Sequence, residues 1–204
     1  MAFIDASHQP RRAGTLQQAL RDALEPGEKL LWSGFPPQGV MFRRADTFLI
    51  PFSLMWGGFA IFWEYGVFAG EPDVPDRFDL WDKFFVLWGI PFVLIGLYFI
   101  FGRFIEDAAR RARTIYGVTD RRAILLTNFL GHNVRSISLS GLDEINLSKK
   151  ADGRGTITLG PANSGMDWAR GWPGAIRGAN PAFEGITRAQ DVLNIIRDAQ
   201  RASA

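Results

Sequence analysis

The chain has no cysteine among its 204 residues. That excludes disulfides, thiol catalysis, iron–sulfur clusters and any cysteine-based zinc site. Histidine is scarce too: His8 stands in a polar stretch and His132 in LGHN. Two such residues are too few donors for a zinc site. No phosphate-binding loop and no dinucleotide fingerprint is present. ADGRG at 151–155 carries glycines, but it reads as a hairpin turn with no helix after it. The opening MAFIDASHQPRR lacks an apolar stretch, so no cleavable signal peptide is expected. No catalytic residue, cofactor or metal is expected, and the chain reads as a non-enzyme.

Charge is missing where its absence is most informative. Residues 84–102, FFVLWGIPFVLIGLYFIFG, are 19 residues without one. A helix of that length covers roughly 28 Å, close to a bilayer core of about 30 Å. A soluble surface helix would show a polar stripe, and this one shows none. A chain of 204 residues leaves too little mass to enclose it. The stretch TFLIPFSLMWGGFAIFW, 47–63, runs 17 residues to Glu64 and continues as YGVFAG. Glu64 falls near the end of this span, where a carboxylate reaches the headgroups. Pro51 and Pro91 lie inside the spans, and Gly57–Gly58 would let two helices approach closely. The expectation is a transmembrane helical hairpin, with spans at about 47–68 and 84–103 inside a region 46–104. Trp63 and Trp81, near span ends, are expected as interfacial anchors. The spans also offer a route to a homo-oligomer.

The net charge of +2 averages over unlike parts. Residues 47–102 hold Arg77 and Lys83 against six acids, whereas 103–204 hold fifteen basic and ten acidic residues. Arg43 and Arg44 precede the first span; Arg103, Arg110, Arg111 and Arg113 follow the second. The positive-inside rule then places both termini in the cytoplasm and the acidic loop 70–83 outside. Asp73, Asp76, Asp79 and Asp82 recur every third residue. They are read as solvating that loop rather than holding a hard cation. The modest basic excess beside a membrane argues against nucleic acid as a partner.

After 104 the periodicity changes. FIEDAARRAR continues the second span as a helix, with Glu106–Arg110 and Asp107–Arg111 at favourable i,i+4 spacing. RTIYGVT, RAILLTN, VRSISL, DEINLS and GTITLG then follow, separated by turn signals. Short strands at this spacing indicate an antiparallel sheet or small barrel. TRAQDVLNIIRDAQRA ends the pattern as an amphipathic helix with Thr187 as N-cap. Region 105–204 therefore reads as strands capped by a C-terminal helix, and the whole as an α+β membrane protein. Thr119-Asp120-Arg121-Arg122 falls where a hairpin must reverse, and aspartate favours turns because its carboxylate accepts backbone hydrogen bonds. The alternative is a basic patch for anionic headgroups.

The order of these pieces resembles a known family. YGVTDRRAILLT, SISLSGLDEINLS, GTITLG and PAFEGITRAQDVLNIIRDA resemble the bacterial membrane-anchored PH-like domain. Tyr116, Thr119, Arg122, Gly155, Ile157, Phe183 and Ile186 take the pattern's positions, and LEPGEKLLWSGFPPQG, 24–39, looks like its juxtamembrane segment. The resemblance implies a small β-barrel capped by a helix, no enzyme activity, and a bacterial inner membrane location. PH domains elsewhere bind phosphoinositides through a long basic first-hairpin loop. This turn departs from that pattern, having about four residues and only Arg121 and Arg122 as bases.

Two further stretches carry open alternatives. PANSGMDWARGWPGAIRGANP, 161–181, is long for a connection inside a compact domain. Trp168, Arg170, Trp172 and Arg177 either form a lid over the barrel or a surface for a partner or the bilayer. In region 1–45, TLQQALRDALEPGE reads as a short amphipathic helix and KLLWSG as a short strand. That strand either extends the sheet or lies in the interface with Trp32 as anchor. The resulting expectation is a non-catalytic, membrane-tethered interaction or scaffold module with a protein partner. The alternatives are a regulator binding anionic lipid through Arg121, Arg122 and the tryptophan loop, and a subunit of a transport assembly.

Overall fold

A computed structural model describes residues 10–42, 46–69, 80–129, 131–150, 153–161 and 180–203. The chain divides into two compact units. Among the described residues, one gathers the chain up to Gly39 and from Ala108 onward, and the other is Val40–Asp107. The second is thus an insertion within the first, and two chain crossings join them.

In the discontinuous unit, α1 (Pro10–Asp22) opens on a proline, which suits a first turn whose N–H groups have no partner. β1 (Leu30–Gly34), β2 (Thr114–Thr119), β3 (Arg122–Asn128) and β4 (His132–Ser138) form an antiparallel sheet in that order. β1 joins the edge of β2 across the insertion, with Trp32 opposite Val118 and Gly34 opposite Tyr116. β5 (Ile145–Lys149), β6 (Gly155–Leu159) and β7 (Ala182–Ile186) form a second antiparallel sheet, and α5 (Ala189–Ser203) closes the unit. Their β-branched and aromatic residues suit a pleated, half-buried surface.

The small barrel expected from the strand pattern does not close. The strands make two sheets, and no pairing joins them among the described residues. The chain changes sheet at Leu139–Leu142, and α5 serves the backbone there: Gln200 Nε2 donates to the carbonyls of Leu139 (3.0 Å) and Leu142 (2.9 Å). One side-chain amide thus serves both carbonyls, and that of Leu139 also accepts the Leu142 N–H. Val192, Leu193, Ile196 and Ala199 of α5 fill the space with Val118, Ala123, Ile157, Leu159 and Ile186. At the centre, Phe183 stacks on Tyr116 (4.8 Å between ring centroids) and lies 5.8 Å from the Trp32 ring. α5 begins just after Thr187 and Arg188. Arg188, at φ 51, turns the chain, and its carbonyl accepts the N–H groups of Asp191 and Val192.

Successive side chains of a strand point to opposite faces, and β2 is buried on both. Tyr116 and Val118 enter the central core, while Ile115, with Ile124 and Leu126 of β3, meets Leu16 and Leu20 of α1. Leu20 sits directly over Gly117, where a Cβ would stand 3.0 Å from its Cδ1. The amphipathic N-terminal helix is therefore the outer cover of the four-stranded sheet.

In the inserted unit, α2 (Asp46–Ala69) and α3 (Leu80–Leu97) form a helical pair. A π-helical turn (Tyr98–Gly102) continues α3 into α4 (Arg103–Arg111). Gly102 leaves room for the Tyr98 ring, whose hydroxyl donates to Glu106 Oε2 at 2.5 Å. Two stretches, Asp46–Val67 and Leu87–Arg111, are long and apolar enough to cross a membrane. Only 28% and 17% of their apolar windows are buried within the protein, unlike core helices. The helices meet at glycine: a Cβ on Gly96 would stand 2.7 Å from the Gly57 Cα. Gly58 has open space instead. Gly89 leaves room for the Glu64 carboxyl, whose Oε2 is buried and meets no hydrogen-bond partner among the described residues.

Candidate functional site

The stretch Thr119–Arg122 is the turn between β2 and β3. Thr119 Oγ1 accepts the N–H groups of Arg121 (3.2 Å) and Arg122 (2.9 Å). Asp120 reaches across to β1: its Oδ1 accepts the Lys29 N–H, and its own N–H donates to the Lys29 carbonyl. The turn thereby holds the start of β1 beside β2.

Arg122 does not face a ligand. Its Nε donates to Glu28 Oε1 and its Nη2 to Glu28 Oε2, both at 2.8 Å. This is a two-pronged pair that matches the guanidinium fork. Nη2 also reaches the Ala23 carbonyl, and Nη1 reaches Ser136 Oγ and Glu25. The Glu28 side chain is fully buried and that of Arg122 is 20% exposed. Glu28 further accepts the Glu25 N–H and lies 2.7 Å from the Thr119 hydroxyl. The Arg122 hydrogen bonds hold the Glu28 carboxyl down at about 2, against the opposing effect of burial. Glu28 in turn raises the Arg122 pKa. A buried carboxylate beside a guanidinium is a common signature of a reactive site. Here every strong contact is internal, and the pair ties the segment after α1 to a hairpin 94 residues away.

The expected surface of basic and aromatic residues is thus redistributed. Arg121 is exposed, and the Nε and Nη2 groups of Arg122 are engaged by Glu28. Trp32 is no interfacial anchor: it is 7% exposed and packs on Phe183, since β1 carries it into the core. Trp63 on α2 is half exposed. Trp168, Arg170, Trp172 and Arg177 lie outside the described residues, as do the Trp81 side chain and the acidic loop's Asp73, Asp76 and Asp79. Among the described residues no group of three His, Cys, Asp or Glu side chains is arranged to hold a metal.

Two features escaped sequence reasoning. Arg111, 5% exposed, ties the two chain crossings together: its Nη2 donates to the Gly39 carbonyl at 2.6 Å and its Nη1 to that of Pro37. Nothing in FIEDAARRAR marks this arginine among its neighbours. The second is β4. It alternates as a strand should, yet nearly all its side chains are exposed, including Val134 at 42%. Among the described residues it pairs with β3 alone. Its outer edge therefore presents backbone donors and acceptors, with Arg135 as its charged residue.

The residues that carried the family resemblance converge on packing. Tyr116, Thr119, Ile157, Phe183 and Ile186 are all buried, and Arg122 is the ion-pair partner. Gly155 lies opposite Ile186, and a Cβ there would stand 2.6 Å from that of Ala189, at the start of α5. Comparison with known proteins yields no similarity on which to lean: no family model, no curated protein and no solved structure matches the chain.

Proposed function

We propose that this chain is a non-catalytic, membrane-tethered interaction module with a PH-like domain. The outer edge of β4, open among the described residues, carries the reading. An exposed strand with one neighbour takes an extended segment of a partner as an added strand, with main-chain hydrogen bonds supplying affinity. Arg135 favours a partner segment with an acidic residue opposite it. The PH-like assignment is supported by seven strands and a closing C-terminal helix among the described residues, and by the burial of Tyr116, Thr119, Gly155, Ile157, Phe183 and Ile186. The non-catalytic reading is supported by the internal use of Glu28 and Arg122.

The membrane placement is supported by the length and composition of the two helices and by their poorly buried apolar windows. With Arg43, Arg44 and the arginines of α4 flanking the pair, both termini lie in the cytoplasm of a bacterial inner membrane. Because β1 and β2 flank the insertion, the domain is held to the membrane by two connections rather than one. The lipid-headgroup alternative is weakened at its named turn, which retains only Arg121.

A photo-reactive amino acid at Arg135, with a control at exposed Arg121, tests the reading in intact cells. The expected result is one discrete cross-linked protein from position 135, lost when Val134 and Ser136 are both replaced by proline. Proline removes the strand's donors. Equal labelling from both positions, or none from 135, refutes the β4 surface. Reporter fusions at residue 75 and at the C-terminus test the orientation; a cytoplasmic signal from residue 75 would sink it.

A further inference from the structure

Arg103 follows the charge-free run directly and meets Asp46, the first residue of α2. Its Nη1 donates to Asp46 Oδ1 at 2.7 Å. The two side chains are 5% and 9% exposed. The other edge of the guanidinium, Nε and Nη2, is buried as well, and no acceptor meets either atom among the described residues. The Phe104 ring lies over the guanidinium, 4.3 Å from its carbon, and packs edge-on against the exposed ring of Phe42.

A guanidinium carries five N–H donors in a planar fork. Donors on a charged group that lose water and gain no acceptor are costly, so this arginine is incompletely matched. The unmatched part is not random. Nε and Nη2 form the side-on edge, two parallel N–H groups spaced for two oxygens of one phosphate or carboxylate. Asp46 is engaged at Nη1, and Glu106 takes the Tyr98 hydroxyl. Position then selects the ligand. Arg103 and Asp46 mark one edge of the helical pair, where both apolar runs end. A bilayer presents its phosphodiester groups at that depth.

We infer that the Nε/Nη2 edge of Arg103 binds a single phosphate group, and that a phospholipid headgroup supplies it. Asp46 is a positioning residue that fixes the guanidinium plane through Nη1. Phe104 covers one face of that plane, so the ligand is read in-plane at the edge. Because both nitrogens are buried, entry of the ligand requires a side-chain shift. The inference rests on the helical pair being embedded in a membrane.

The test uses the full chain, extracted from membranes, purified in detergent and stripped of lipid. Native mass spectrometry then compares binding of phosphatidylglycerol with diacylglycerol of the same acyl chains. The wild type is expected to retain the phospholipid and not the diacylglycerol. Arg103→Lys keeps the charge but loses the fork, and should weaken retention by about tenfold. Inorganic phosphate without lipid separates the sources. Binding of phosphate that Arg103→Lys abolishes, without phospholipid retention, moves the ligand from lipid to solution and overturns the lipid source alone. Equal retention of diacylglycerol by the wild type, a comparison that needs no variant, overturns the site. So does undiminished phospholipid on Arg103→Lys. A chain that washes off membranes at alkaline pH overturns the membrane reading itself, independently of the lipid comparison.

Discussion

Glu28→Gln is the substitution with the most calculable outcome. The wild-type carboxyl titrates at about 2 in the fold, against an ordinary 4.5. That difference corresponds to about 3 kcal/mol of stability at neutral pH. The folded value is depressed, so this stability is fully present above the unfolded pKa. It is lost as pH falls from about 5 toward 2. By pH 3 the linkage relation removes about 2 kcal/mol of it. Glutamine keeps the shape but not the charge, leaving Arg122 without its counter-ion. Hydrogen exchange at the amides of Leu30–Gly34, in the full chain in detergent and corrected for intrinsic rates, reads the effect where it acts. The opening free energy should differ between wild type and variant by about 3 kcal/mol at pH 7 and about 1 at pH 3. Other carboxylates titrate in both proteins and cancel in the difference. A difference under about 1 kcal/mol at pH 7 would match an ordinary surface pair. That result, or a difference constant with pH, would refute the claim that this pair holds β1 to the hairpin.

Other perturbations follow from the same geometry. Gly96→Ala should separate the helical pair, lowering its thermal stability in detergent, because the new Cβ meets backbone at 2.7 Å; Gly58→Ala should leave it unchanged. Phe183→Ala should cost about 3–5 kcal/mol in denaturant unfolding, since the fully buried ring contacts both Tyr116 and Trp32. Arg111→Ala leaves the carbonyls of Gly39 and Pro37 without this donor. Limited proteolysis should then cut near residues 37–39 faster, while Arg110→Ala should not change the rate.

Much of the framework was legible because it depends on local chemistry. β3 and β6 lie inside the runs that read as strands, and α5 buries the stripe of Val192, Leu193 and Ile196. The candidate surface was less legible. Arg121 and Arg122 are adjacent and chemically alike, yet one is exposed and the other is consumed by Glu28. Trp32 read equally well as an anchor or a core residue, because a short apolar strand with one tryptophan suits both. Its pairing with Val118 decided the matter.

By itself the sequence determined the classes of chemistry excluded by the lack of cysteine, the two uncharged runs, the alternating strands and the amphipathic last helix. Each is a property of neighbouring residues and their period. Tertiary structure alone decided that the N-terminal helix covers the sheet, that the helical pair interrupts a domain rather than preceding it, and that two sheets form without closing a barrel. It also decided that Glu28 meets Arg122, Gly57 meets Gly96 and Asp46 meets Arg103. Those contacts join residues tens of positions apart. Burial and register select such partners from many of similar type, and no local pattern encodes that selection.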